Sequence, residues 1–203
     1  MRSSASDPAL EIALEAFLVS TGIVALAEMG DKTQLLSLLL AARFRRPWPI
    51  IVGILIATTI NHAFAAALGQ WLTSVVSPDL LRWALGGSFV AMAAWILVPD
   101  KPGAQDDNAE KYGVLGTTVI AFFLAEIGDK TQVATVALAA KYAVLWVVVA
   151  GTTLGMMLAN VPAVIVGERL AKRIPLKLTR TVAAVIFAVV SAAVLLKSDA
   201  SVP

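Results

Sequence analysis

A charged seven-residue motif occurs twice in this chain, each time inside an apolar stretch long enough to cross a membrane. The two copies, 98 positions apart, are Glu28-Met29-Gly30-Asp31-Lys32-Thr33-Gln34 and Glu126-Ile127-Gly128-Asp129-Lys130-Thr131-Gln132. A charged side chain at the centre of a bilayer costs about 2.5–3.5 kcal/mol even on the insertion scales that give low values. Six such charges in two matched sets indicate a functional site, and they favour ion handling.

The composition places the chain among integral membrane proteins. Hydrophobic residues make up 59% of the 203 residues, and the mean hydropathy is +0.82. Soluble domains are closer to about 45–50% apolar. The net charge is only +2, and the basic residues lie at the ends of apolar runs, so nucleic acid is not an expected partner. The apolar runs predict six spans, at 10–42, 48–76, 80–98, 113–141, 144–171 and 177–197.

The 98-residue repeat extends well beyond the motif, since Trp48 aligns with Trp146 and Gly53 with Gly151. A duplicated unit with three spans enters the membrane in the opposite sense the second time, which produces an inverted-topology repeat. We therefore predict an all-α polytopic membrane protein with six transmembrane helices arranged as two inverted three-helix repeats. The predicted parts are a first repeat at 1–98, an acidic linker at 99–112 and a second repeat at 113–203.

The distribution of lysine and arginine predicts the orientation in the membrane. Apart from the two motif lysines, ten of them lie in or close to the breaks after predicted spans 1, 3 and 5, and four lie close to the remaining breaks or the two termini. Cytoplasmic segments carry the excess of basic residues. Both termini are therefore predicted to be extracytoplasmic, and the linker at 99–112 to be cytoplasmic.

The acidic residues of the motifs are the candidate metal ligands. On a continuous helix Glu28 and Asp31 would share one face, as would Glu126 and Asp129. Oxygen ligands suit hard cations such as Ca²⁺, Mn²⁺ and Mg²⁺, and they do not rank Mn²⁺ against Ca²⁺. Soft metals fit poorly because the chain has no cysteine and one histidine. Further oxygen donors beside the carboxylates are Thr33, Gln34, Thr131 and Gln132.

The two motif lysines, Lys32 and Lys130, are the candidate counter-charges. Together with four ionised carboxylates they leave a charge of −2, which a divalent cation would neutralise. Protonation of the carboxylates would compete with the metal, and this competition is the chemical basis expected for antiport. The alternative is a structural clamp, in which each motif glutamate pairs with the lysine four residues later.

Polar residues also occur near the middle of two other predicted spans. Asn61 and His62 lie in predicted span 2, and Asn160 aligns with His62 at the 98-residue offset. They are interpreted either as interhelical hydrogen-bonding groups or as a proton relay or second layer around the cation. The sequence does not decide between these two roles.

At the two motifs the chain closely resembles the Glu-x-Gly-Asp-(Lys/Arg)-(Thr/Ser) membrane family, also catalogued as uncharacterised protein family 16. Its members include Golgi, chloroplast-envelope and bacterial transporters of manganese or calcium. The resemblance covers roughly residues 10–197 and implies cation/proton antiport, with Mn²⁺ or Ca²⁺ as the transported substrate and no separate cofactor. It places the cation ligands at Glu28, Asp31, Glu126 and Asp129. No long N-terminal extension precedes the first span, so we expect a bacterial plasma-membrane protein.

We predict that the protein exports Mn²⁺, or Ca²⁺, in exchange for protons, with the lipid bilayer as its environment. Two other functions use the same carboxylates: export of small cationic or amino-acid solutes, and passive cation conduction through a channel. An intramembrane enzyme is not expected, because the motifs contain no nucleophile and base pair.

Overall fold

The computed structural model describes residues 7–95, 97, 112–166 and 176–196, and the helices among them confirm the all-α prediction. The described residues form eight helices: α1 (Pro8–Glu28), α2 (Lys32–Phe44), α3 (Pro47–Val75), α4 (Pro78–Trp95), α5 (Gly113–Glu126), α6 (Lys130–Tyr142), α7 (Leu145–Val166) and α8 (Leu176–Leu196). Apart from Tyr112, the predicted linker at 99–112 lies outside the described residues.

The sequence leaves open whether the predicted spans at 10–42 and 113–141 are interrupted at Gly30 and Gly128, and the structure divides each of them in two at the motif. Helix α1 ends at Glu28 and α2 begins at Lys32, while α5 ends at Glu126 and α6 begins at Lys130. An apolar run with helical periodicity does not reveal such a break, because the residues on both sides are good helix formers. The element order in the two halves of the chain is otherwise the same.

The similarity of the two halves extends to their backbone conformation. Helices α2 and α6 are each followed by a residue in the left-handed region, Arg45 with φ of 53° and Ala143 with φ of 55°. In each case the N–H of that residue donates to the carbonyl oxygen four residues earlier. These positions are separated by the same 98-residue offset as the motifs, so the sequence repeat is also a structural repeat.

The two halves pack into each other. Helix α1 of the first half packs along α7 of the second half. The equivalent helices, α5 of the second half and α3 of the first, pack along each other in the same way. Equivalent glycines allow the close approach in both interfaces: a Cβ on Gly53 would lie 2.7 Å from Thr118 Cβ, and one on Gly151 would lie 2.8 Å from the Phe17 carbonyl oxygen. Helix α4 packs against α8, where the Phe89 and Phe187 rings are 6.0 Å apart.

The outer surface is suited to lipid. Large apolar side chains such as Trp48, Phe64 and Val189 are exposed by more than 60%. Within the described residues, three helices are long and apolar enough to cross a membrane by themselves, and they lie at Pro8–Glu28, Pro47–Val75 and Leu145–Ile165. The chain is therefore a multi-pass membrane protein whose charged motifs lie in the interior.

Candidate cation site

Each motif forms a short break between two helices, and a glycine makes the break possible. Gly30 has φ of 79° and Gly128 has φ of 72°, in the left-handed region that side chains with a Cβ disfavour. The next residue, Asp31 or Asp129, has extended backbone and stands at the start of the following helix. The motif therefore brings the end of one helix and the beginning of the next to the same place.

Three of the four predicted acidic ligands converge. Glu28, Glu126 and Asp129 each place one carboxylate oxygen within 4.8 Å of the other two. Glu28 and Glu126 are fully buried, and Asp129 is 3% exposed. Asp31 is also buried but is not a member of this group. The predicted sharing of one helix face by Glu28 and Asp31 is wrong, since the helix ends between them.

One oxygen of each converging carboxylate has no hydrogen-bond partner within the described residues. These atoms are Glu28 Oε1, Glu126 Oε1 and Asp129 Oδ2. Buried polar atoms in proteins are almost always hydrogen-bonded, so three orphaned acceptors in one cluster require an explanation. Because Ca²⁺ binds oxygen at about 2.3–2.6 Å, two ligands on opposite sides of it are up to about 5 Å apart. The cluster therefore has the donor type and the spacing that one hard divalent cation needs.

The motif threonines hold the other oxygen of each glutamate. Thr33 donates from its hydroxyl to Glu28 Oε2, and Thr131 donates to Glu126 Oε2 at 3.1 Å. Each hydroxyl belongs to the first turn after the break, while each glutamate ends the helix before it. The hydrogen bond thus spans the break and orients the carboxylate.

The amide oxygens of the motif glutamines, which are predicted oxygen ligands, accept hydrogen bonds within the breaks. Gly30 N–H donates to Gln34 Oε1 at 2.9 Å, and Gly128 N–H donates to Gln132 Oε1 at 2.7 Å. A break in a helix leaves backbone N–H groups without intrahelical acceptors. The glutamines supply those acceptors, which stabilises the break.

The two lysines form ion pairs between the halves of the chain. Lys32 Nζ lies 3.1 Å from Asp129 Oδ1, and Lys130 Nζ lies 3.8 Å from Asp31 Oδ1. The Lys32 side chain is 23% exposed, and the Lys130 side chain is 4% exposed. The sequence also allowed a clamp in which Glu28 pairs with Lys32 one turn later on the same helix. The break separates those two residues, so they do not lie on one helix.

The polar residues of the long helices have different partners. Asn61 Nδ2 donates to the Phe123 carbonyl oxygen at 3.2 Å, and Asn160 Oδ1 accepts from Ser37 Oγ at 2.8 Å. His62 is fully buried, and neither ring nitrogen has a hydrogen-bond partner in the described part of the chain. The sequence did not identify Ser37 as the partner of Asn160, because a serine in an apolar helix does not indicate which residue it contacts.

The positive φ of Gly128 leads to a test of the break. Gly128→Ala is expected to lower stability by about 1–2 kcal/mol, because a residue with a Cβ is disfavoured in the left-handed region. Gly128→Asn should cost less, because asparagine adopts this conformation more readily. Thermal unfolding in detergent measures the difference. Equal stability of all three proteins would show that the break has another backbone conformation.

The sequence is similar to known membrane transport proteins. The family model described as "Divalent cation/proton antiporter GDT1" matches twice, at residues 16–104 and 114–201. A protein of Vibrio cholerae serotype O1 named "Putative manganese exporter" is 52% identical over 179 residues, which is 87% of this chain and 88% of that protein. A GDT1-like protein of Synechocystis sp. is 32% identical over 194 residues, 86% of this chain and 93% of the relative. No solved structure matches the chain.

These matches define a membrane transport protein of the antiporter class. The chain belongs to the GDT1 family of divalent cation/proton antiporters. The two matched segments contain one motif each, so the family assignment covers both halves of the candidate site.

Proposed function

We propose that this protein exports Mn²⁺ across the cell membrane in exchange for protons, with Ca²⁺ as a second substrate. The family supports divalent cation/proton antiport, and the name of the Vibrio cholerae relative supports manganese. The observation that carries the proposal is the convergence of three buried carboxylates from both motifs, each with one oxygen that lacks a protein partner.

The proposed cation ligands are Glu28, Glu126 and Asp129. Carboxylate oxygens suit Mn²⁺ and Ca²⁺. Glu28 and Glu126 would exchange the metal for protons during each cycle, because a carboxylate can bind either one. A protonated carboxyl group cannot serve as a strong ligand, and protons and metal therefore exclude each other at the same atoms. This exclusion couples the two fluxes.

The lysines act as internal counter-charges in this mechanism. Lys32 reaches Asp129, which is also a proposed cation ligand, while Lys130 reaches Asp31. When no cation is bound, a buried cluster of carboxylates needs compensating positive charge, because uncompensated buried charge is costly. A bound divalent cation would compensate the negative charge of Asp129 itself and weaken the ion pair between Lys32 and Asp129.

The proposed architecture is a six-span inverted repeat. Helices α1 and α2 form one interrupted span and α5 and α6 another, so residues 1–98 and 113–203 each contribute three spans, joined by the linker at 99–112. The crossed packing of α1 with α7 and of α5 with α3 supports a two-fold relation between the halves. Alternating access then follows from rocking of one repeat against the other around the motifs.

The proposed location is the plasma membrane of a bacterium, with both termini extracytoplasmic. The basic residues concentrated after spans 1, 3 and 5 support this orientation. Export would then carry Mn²⁺ from the cytoplasm, while protons enter down their gradient.

Flux into proteoliposomes tests the function. Purified protein is reconstituted in vesicles that contain a pH-sensitive dye, and Mn²⁺, Ca²⁺ or Mg²⁺ is added outside. We expect Mn²⁺ to enter and the lumen to become alkaline as protons leave, with both signals absent from protein-free vesicles. The rate should saturate with Mn²⁺ concentration, as it does for a carrier that binds its substrate in each cycle.

The two other functions give different results in the same assay. Metal entry without proton movement, under a clamped membrane potential, would identify a passive channel. Entry of a basic amino acid with no entry of any divalent cation would identify an exporter of organic cations. Either outcome would overturn the proposal.

A further inference from the structure

In each half of the site, a buried amide side chain donates a hydrogen bond that joins the two repeats. Asn61 of α3 is 2% exposed and donates from Nδ2 to the carbonyl oxygen of Phe123 in α5 at 3.2 Å. Gln34 of α2 is 6% exposed and donates from Nε2 to the carbonyl oxygen of Ala159 in α7 at 3.1 Å. Both bonds cross between the repeats.

Asn61 supplies a hydrogen-bond donor that the end of α5 lacks. The last four carbonyl oxygens of a helix have no intrahelical N–H to accept. Helix α5 ends at Glu126, so the Phe123 carbonyl oxygen belongs to that last turn. Asn61 therefore holds the turn that carries Glu126.

The bonds of Gln34 connect the first break to its surroundings. Its amide oxygen accepts from Gly30 N–H while its amide nitrogen donates to α7, so one side chain joins the break and the opposite helix. The Gly30 N–H lies two residues after Glu28, the end of α1. Gln34 therefore restricts the position of Glu28 relative to α7.

The two connections are not equivalent by the repeat. The position that corresponds to Asn61 is Ala159, which has no side-chain donor. Gln132, which corresponds to Gln34, accepts from Gly128 N–H, but within the described residues its amide nitrogen makes no bond to α3. The two halves of the site thus use different amide residues to bond to the opposite repeat.

We propose that Asn61 and Gln34 are positioning residues for cation binding, with Asn61 holding Glu126 and Gln34 holding Glu28 at the separation that one divalent cation requires. The inference rests on the proposed role of the two glutamates as cation ligands. Loss of either amide is expected to displace one glutamate and leave the other in place.

The variants Asn61→Ala and Gln34→Ala test the proposal, with Asn61→Leu and Gln34→Met as variants that better preserve side-chain volume. Ser191→Ala is the matched control, because buried Ser191 Oγ donates to the Gly86 carbonyl oxygen at 2.9 Å and joins α8 to α4 away from the motifs. Three quantities are measured for each protein: KM and kcat for Mn²⁺ flux, thermal unfolding, and backbone amide exchange without divalent cations.

We expect the variants at position 61, which lose one hydrogen bond, to raise KM about tenfold with kcat nearly unchanged, which corresponds to about 1.4 kcal/mol, the size of one net hydrogen bond. The variants at position 34 lose two hydrogen bonds and should raise KM by at least as much. Amide exchange should accelerate at 124–130 in the Asn61 variants and at 26–32 in the Gln34 variants. Ser191→Ala should change thermal unfolding without changing KM or exchange in either segment.

Two results would overturn the inference. One is a KM that does not change in the position-61 and position-34 variants. The other is accelerated exchange in both segments whichever amide is lost, which would mean a general loosening of the fold. Failure of the wild type to bind or transport either Mn²⁺ or Ca²⁺ would count against the proposed function instead, while the segment-specific exchange would still test the positioning of the two helix ends.

Discussion

Glu28→Gln is expected to fold and insert normally but to lose Mn²⁺ transport by more than about 100-fold, because loss of even an outer partner of a metal ligand costs about 10- to 100-fold in affinity. Glutamine has nearly the same shape and can still accept the hydrogen bond from Thr33. It cannot supply a negative charge to the cation or carry the exchanged proton. Proteoliposome flux, with thermal unfolding as a check of folding, measures the effect.

Glu15→Gln is the matched control for this substitution. Glu15 also lies on α1, but its side chain is 61% exposed and bonds to Tyr142 away from the motifs. We expect this variant to transport Mn²⁺ at close to the wild-type rate. Flux by Glu28→Gln that equals the flux of Glu15→Gln would remove Glu28 from the mechanism.

Gly155→Leu is expected to prevent the protein from folding. A Cβ at this position would lie 2.6 Å from the carbonyl oxygen of Thr21 and 2.9 Å from the amide nitrogen of Ala25, both in the backbone of α1. Backbone atoms cannot move aside as a flexible side chain can, so α1 and α7 would have to separate. Even Gly155→Ala should cost about 1–3 kcal/mol, the usual range for overpacking a tight interior.

Gly22→Ala is the control for the glycine prediction. Gly22 lies in α1, as do the residues that Gly155 contacts, but a Cβ there would meet no heavy atom within 4 Å. We expect this variant to be as stable as the wild type or slightly more so, because alanine favours a helix over glycine by about 1 kcal/mol. Yield of monodisperse protein and thermal unfolding in detergent compare the variants. Normal folding of Gly155→Leu would mean that α1 and α7 are not packed as described.

The charged motifs were identifiable as the site from the sequence, because charge in an apolar segment is rare enough to be informative at each position. Glu28, Glu126 and Asp129 were all predicted as acidic ligands, and the structure places them together. Gly30 and Gly128 indicated from the sequence that each helix could be interrupted at the motif, but they left open whether it is. A glycine permits a positive φ, but it does not require one, and apolar helix formers surround both positions.

The partners of the charged and amide side chains were the least predictable feature. From the sequence, Lys32 was nearest to Glu28 and Asp31, whereas in the structure it pairs with Asp129 of the other half at 3.1 Å. Gln34 and Asn61 donate to backbone carbonyl oxygens. Every residue has such an oxygen, so the residue type does not indicate which one accepts the bond. Such contacts join residues far apart in the chain, so neither the spacing of residues nor the helical periodicity predicts them.

The sequence by itself determined the all-helical membrane class, the duplication and the chemical type of the site, because these depend on residue composition, spacing and charge within a single segment. Only the tertiary structure decided that Asp129 joins the two glutamates while Asp31 does not, and that different amide residues bond to the opposite repeat beside the two breaks. The physical reason is that nearly identical motifs become inequivalent through the surfaces they pack against. Those surfaces are α3 beside one break, with Asn61, and α7 beside the other, with Ala159 at the corresponding position.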